Sequence, residues 1–241
     1  MADEHRAAGL LDDAALEASV VVANCAMNRE RQLAGANSYT RELGFNPLNV
    51  ITSRLSGTGS PAGVAAWLDL CCGTGRALIQ AACQLHQARL AGRATLVGVD
   101  LAGAFDSAPA AAAGLELVCA PVATWTPGRA FDLITCVHGL HYVGDKLGLL
   151  TRAACWLAPT GRLVADLDLH AIRIPGTKPG SRGLATQLRA AGFSYDPRRH
   201  RISCTGHRDI RLPYLYLGAD DRAGANYTGQ PAVHSYYAQT Q

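Results

Sequence analysis

From residue 64 onward the chain alternates short apolar runs with segments of helix length, and no other feature constrains its fold as strongly. The runs "AAWLDL", "ATLVGVDL", "LELVCAP", "FDLITCVHGL" and "GRLVADLDL" read as strands. Between them lie the amphipathic "RALIQAACQLHQARLAG", the alanine-rich, helix-poor "AFDSAPAAAAG", and the helical "DKLGLLTRAACWLAP". Strands this apolar, separated by crossovers this long, imply a mostly parallel sheet covered on both faces. "GLATQLRAAGF" follows as a further helix, with "RISCTGHRDI" and "LPYLYLG" as a closing antiparallel hairpin. The expected class is α/β and doubly wound.

Residues 10–55 read as helical instead. Within them Asn37 or Ser38 caps a helix that runs to Leu43, before Gly44 and the break at Pro47. "SGTGSPAG" (56–63) has the composition of a linker. The expected division is a helical cap over 1–60 and a main domain over 61–241, with a distinct tail at 218–241. Five tyrosines fall between Tyr214 and Tyr237, three of them in that tail, which has no helical period. It suits a lid over a pocket or a subunit contact, as in a homodimer.

Hydrophobic residues make up 49% and charged residues 17%, enough for a sizeable core and too apolar for disorder. No stretch reaches the roughly 18 unbroken apolar residues of a membrane helix. The first residues, "MADEHRAAGL", lack the basic and then greasy order of a signal peptide, so the expected location is cytoplasmic. A net charge of +3 with scattered arginines gives no stripe for nucleic acid. The eight cysteines form no C-x-x-C pair, and Cys71 and Cys72, on opposite faces of a strand end, are ill placed to share a metal. No metal is expected.

The turn after the first strand reads D-L-C-C-G-T-G-R-A-L over residues 69–78. Glycines between a strand and a helix let the backbone approach a ligand and present amide donors to it. A dinucleotide fingerprint would put a third glycine at 78, where Leu78 stands. The stretch resembles the D-x-G-x-G-x-G motif of class I S-adenosylmethionine-dependent methyltransferases, with Asp69, Gly73 and Gly75 in place and Cys71 in place of the first glycine. A cysteine is tolerable there if the backbone is not left-handed. The resemblance extends over residues 64–217 and implies a Rossmann-like fold. It implies that Asp100, ending "LVGVD", grips the cofactor's ribose hydroxyls beside Leu101, and that "FDLITCVHGLHYVGDK" and "WLAPTGRLVADLD" are the fourth- and fifth-strand motifs. The acid such enzymes often use for adenine is missing from "VCAPVATW"; backbone near Ala120 and Pro121, with Trp125, would hold the base.

Methyl transfer is an in-line displacement, governed by alignment and, for some acceptors, by a general base. Candidates belong at the carboxyl ends of the strands. His138 ends the fourth strand and either acts as the base or hydrogen-bonds the cofactor's amino-acid end. His141 and His170 are further catalytic candidates, and both also have structural readings. Tyr142 and Asp168 are placed against the substrate. From the cap, Tyr39 and Arg29 or Arg31 would contact the cofactor's carboxylate or the substrate, or else form a solvated face of ion pairs. The leading expectation is methylation of a small-molecule metabolite, with secondary metabolism suggested by analogy only. A partner subunit without catalysis and a nucleotide-cofactor oxidoreductase remain as alternatives.

Overall fold

The computed structural model describes residues 9–23, 30–57 and 63–240. Five parallel strands form the centre: β1 (Ala65–Leu70), β2 (Ala94–Asp100), β3 (Leu115–Cys119), β4 (Phe131–Cys136) and β5 (Leu157–Asp166). With the short β7 (Ser194–Asp196) and β8 (Arg201–Thr205) the order is β3-β2-β1-β4-β5-β8-β7, the last two antiparallel. The order reverses between β1 and β4, and ligands of such sheets bind outside the strand ends at that switch.

Every residue of β1 is buried, because both faces of the sheet are covered. On one side α3 (Tyr39–Leu43), α4 (Pro47–Ser56) and α5 (Arg76–Gln87) pack over Trp67, Leu96 and Leu133. On the other, α6 (Lys146–Cys155) and α7 (Arg182–Ala190) cover Leu68, Ile134 and Leu163. The helix expected to end at Leu43 is α3; the Ser38 hydroxyl accepts from the Arg41 N–H, and Gly44 closes the helix in the left-handed conformation. Asn46 caps α4, whose first residue is Pro47, so the expected break is also a start.

Three expectations need correction. The stretch from residue 10 is no long helix: α1 (Asp13–Glu17) and α2 (Val20–Ala23) are single turns, and Leu11 pairs with Ala219 through two backbone hydrogen bonds. Secondly, β8 pairs with β7, not with "LPYLYLG". Residues 206–213, with His207, Arg208 and Asp209 exposed, form no strand, whereas Tyr195 of β7 offers a buried ring and donates its hydroxyl to the Leu167 carbonyl at 3.2 Å. Thirdly, the tail is built into the fold. β9 (Tyr214–Asp220), β10 (His234–Gln239) and the two-residue β6 (Ile172–Arg173) form a second sheet in the order β6-β10-β9. The linker expected at 56–63 lies mostly outside the described residues. Among the described residues no helix is long and apolar enough to cross a membrane, and no cluster of three or more His, Cys, Asp or Glu is arranged to hold a metal.

Candidate functional site

The loop after β1 is fixed from both sides. The Cys72 N–H donates to the Val99 carbonyl at 3.1 Å, and the Gly73 N–H donates to Asp100 Oδ2 at 2.9 Å. The other Asp100 oxygen accepts from the Ala102 N–H at 3.0 Å, so one carboxylate ties the loop to the end of β2. Cys71, Gly73 and Gly75 have φ of 57°, 63° and 73°. Cys71 is thus left-handed, contrary to the condition under which a cysteine was expected there, and bears a strain that a glycine would not. Leu78 replaces a third glycine because Gly98 opposite makes room: a Cβ there would stand 2.6 Å from Leu78 Cδ1.

Beside the loop is a cavity of about 280 Å³. Its floor holds Cys71, Gly73, Asp100, Leu101 and Pro121; Val137, His138, Gly139 and Tyr142 close one side; α1 and α2 cover it with Leu16 and Val22. Among the described residues three carboxylates line it, Asp13, Glu17 and Asp100, and no lysine or arginine does. Burial, reinforced by Asp145, raises the Asp13 carboxyl pKa, and burial together with Asp13 raises that of Glu17.

Several expected contacts lie elsewhere. Asp69 is buried behind the loop, where it accepts from the Tyr39 hydroxyl and the Thr135 hydroxyl, each at 2.6 Å; neither Asp69 nor Tyr39 reaches the cavity wall. Burial raises the Asp69 pKa to about 7. Gly75 is the N-cap of α5 and packs on Leu117, and the Ala120 N–H donates to the Asp100 carbonyl; neither lines the cavity. Trp125 stacks edge-on against Trp156. His170 is exposed against Gly180, and Asp168 accepts from its N–H, outside both pockets. His141 is 1% exposed with neither ring nitrogen hydrogen-bonded, and burial lowers its pKa to about 3; it lines neither pocket. Arg29 lies outside the described residues.

His138 is where the site converges. Its backbone is left-handed (φ 58°), and its N–H donates to Asp166 Oδ2 at 3.1 Å. Its Nε2 meets Glu42 Oε2 of α3 at 3.1 Å. That hydrogen bond, with the charges of His138 and Arg31, lowers the Glu42 pKa to about 2 despite burial. A second, polar pocket of about 530 Å³ opens beyond His138, between α3, the β7–β8 turn and the loop before β10. Tyr227 of that loop stacks on His200 at 4.0 Å, nearly parallel. Among the described residues His138 alone lines both spaces. Glu42 and Asp166 escaped the sequence reading. The only trace of Glu42 is its three-residue spacing from Tyr39, while Asp166 stands in plain view at the end of "LVAD".

Fold and site define a doubly wound α/β protein with a glycine-rich ligand loop at its switch point. A family model described as a methyltransferase domain matches residues 44–174, and the chain belongs to that family. A trans-aconitate 2-methyltransferase of Methylobacterium radiotolerans is 35% identical over 101 residues, covering 42% of this chain and 36% of its own length. The chain thus spans about a third of that curated relative. Among solved structures, the plantazolicin methyltransferase BpumL in complex with SAH is 17% identical, with a TM-score of 0.39 over 67% of this chain and 56% of that one. SAM-bound CalS10, an amino pentose methyltransferase from Micromonospora echinaspora, is 23% identical, with a TM-score of 0.33 over 55% and 58%.

Proposed function

We propose that this chain is an enzyme that transfers the methyl group of S-adenosylmethionine to a small-molecule acceptor. The sign of the first cavity carries the reading. Among the described residues its lining has three carboxylates and no lysine or arginine, which suits a ligand bearing a sulfonium and an ammonium and repels the pyrophosphate of a nicotinamide dinucleotide. The glycine loop fits the same ligand: a side chain at residue 73 would be strained at φ 63°, and its absence leaves open backbone at the cavity floor. Asp100 would accept from ribose hydroxyls with the lone pairs its two local amides leave free, and Leu101 and Pro121 would flank the base.

The cofactor, when bound, supplies an activated methyl carbon; the chain's part is alignment and proton handling. His138, held at Nε2 by Glu42 and at its N–H by Asp166, has its ring orientation fixed. In the neutral tautomer that donates to Glu42, Nδ1 is the nitrogen able to take a proton from an acceptor hydroxyl or amine. The cover that α1 and α2 lay over the cavity supports a metabolite over a polymer as acceptor.

Titration calorimetry with S-adenosylmethionine and with NAD tests the reading. Binding of the former alone is expected, weakened about 10-fold or more by Asp100→Ala, as for loss of hydrogen bonds to a charged group. Binding of NAD alone would overturn it, and binding of neither would leave a partner subunit as the better account.

A further inference from the structure

We propose that the second pocket binds an oxyanion group, a carboxylate or a phosphate, carried by the acceptor. This rests on the methyl-transfer reading above and names the substrate class of the same site.

The two spaces that meet at His138 have opposite sign. Among the described residues the lining of the second pocket sets Arg31, Arg41, Arg199 and Arg201 against two carboxylates, Glu42 and Asp166; with Asp196, 3.9 Å from Arg199, counted as well, a positive excess remains even with all the acids ionised. Both lining acids already have partners. Glu42 holds Arg31 at 2.7 Å and His138 at 3.1 Å, and Asp166 accepts from the His138 N–H. The described lining is therefore net positive, and a neutral or cationic acceptor would leave that charge uncompensated.

The arginines are also prepared for a ligand. Arg201 is pinned by its two terminal nitrogens, one on the Leu43 carbonyl at 2.6 Å and the other on the Glu42 carbonyl, so its guanidinium plane is set by the end of α3. Its Nε is buried with no hydrogen-bond partner. Arg31 is only 9% exposed and is held in place by Glu42. A guanidinium fixed before the ligand arrives loses less freedom on binding, and its planar fork suits paired oxygens. Arg41 and Arg199 stand at the mouth, exposed: Arg41 Nη1 donates to the Ala36 carbonyl at 3.2 Å, and Arg199 Nε lies 3.9 Å from Asp196.

The pocket is assembled from chain segments far apart in sequence, which sets it apart from a run of surface charge. The segment before α3 gives Arg31 and α3 gives Arg41, the loop after β4 gives His138, the end of β5 gives Asp166, the β7–β8 hairpin gives Arg199 and Arg201, and the loop before β10 gives Tyr227. At about 530 Å³ it is within the size range of small-molecule sites. An acceptor anchored there by its anion would reach toward the first cavity past His138, the residue common to both walls.

The test is calorimetry of the full chain with citrate, with inorganic phosphate and with uncharged glycerol at fixed ionic strength, each repeated on an Arg41→Gln, Arg199→Gln double variant. Both positions are exposed, so folding is spared. One anion should bind where glycerol does not, and its affinity should fall about tenfold in the variant, as expected for losing two solvent-exposed ion pairs. S-adenosylmethionine affinity should stay unchanged. Arg201→Gln should weaken the anion further. Citrate over phosphate assigns a carboxylic acid acceptor, and the reverse assigns a phosphate ester. If neither anion binds, or binding ignores the substitutions, the proposal is overturned. Anion binding without S-adenosylmethionine binding would sink the methyl-transfer reading and keep the anion site; the converse would sink the anion site alone.

Discussion

At residue 71 a cysteine holds a conformation suited to glycine, and its neighbours explain why it is tolerated. A side chain in the left-handed region costs about 1–2 kcal/mol. The thiol recovers part of that by packing in the space left by Gly139, beside the Cys136 sulfur. Replacement by glycine would relieve the strain, lose that packing and loosen the unfolded chain by about 0.4–1 kcal/mol. Cys71→Gly should therefore change stability in urea by less than about 1 kcal/mol and leave S-adenosylmethionine affinity intact. Cys71→Val, β-branched, should cost about 2 kcal/mol. A loss above about 2 kcal/mol for the glycine variant would mean that the thiol contacts outweigh the backbone. The sequence exposed this loop because glycines at fixed spacing are rare punctuation. It could not expose φ at residue 71, which depends on the hydrogen bonds that Cys72 and Gly73 make to β2.

The elements that sequence revealed are those with continuous apolar runs, β1 to β5; in β1 and β4 burial on both faces leaves an unmistakable pattern, while β3, at the sheet edge, is only half-buried. The tail gave no such pattern. β10 reads H-S-Y-Y-A-Q, with a bulge between Tyr236 and Tyr237, and its partner β6 has only two residues. What anchors β10 is side-chain chemistry. The Tyr237 hydroxyl donates to Asp145 Oδ1 at 3.1 Å and accepts from the Leu147 N–H at 3.0 Å, and the ring is 1% exposed. Lys146 Nζ donates to the Val233 carbonyl and the Ser235 hydroxyl, both at 2.8 Å. Tyr237→Phe should cost about 1–3 kcal/mol by leaving a buried N–H unsatisfied, and Tyr237→Ala about 3–5 kcal/mol. Ending the chain after residue 231 should lower the thermal midpoint and S-adenosylmethionine binding together. Binding lost with the midpoint unchanged would make the segment a lid with no part in the core.

Over the whole molecule a net charge of +3 conceals an acidic cavity and a basic pocket side by side, because the fold sorts distant charges that the sequence lists in scattered order. Two buried groups impose opposite pH dependences on this assembly. Burial raises the Asp69 pKa from 3.8 to about 7, so between those values the folded state binds more protons than the unfolded, and stability falls as pH rises. Burial lowers the His141 pKa from 6.5 to about 3, so there the unfolded state binds more protons, and stability falls as pH drops. Each can contribute at most about 1.4 kcal/mol per pH unit. Asp69→Asn should remove the first dependence and make stability climb more steeply between about pH 4 and about pH 6.5. His141→Phe should remove the second and tilt the same curve the other way, at little cost, since neither ring nitrogen has a partner to lose. Urea midpoints across that window measure both. An unchanged slope in the Asp69 variant would mean that the Tyr39 and Thr135 hydroxyls keep the carboxylate ionised, with a pKa near its ordinary value, and that the charge behind the loop is permanent.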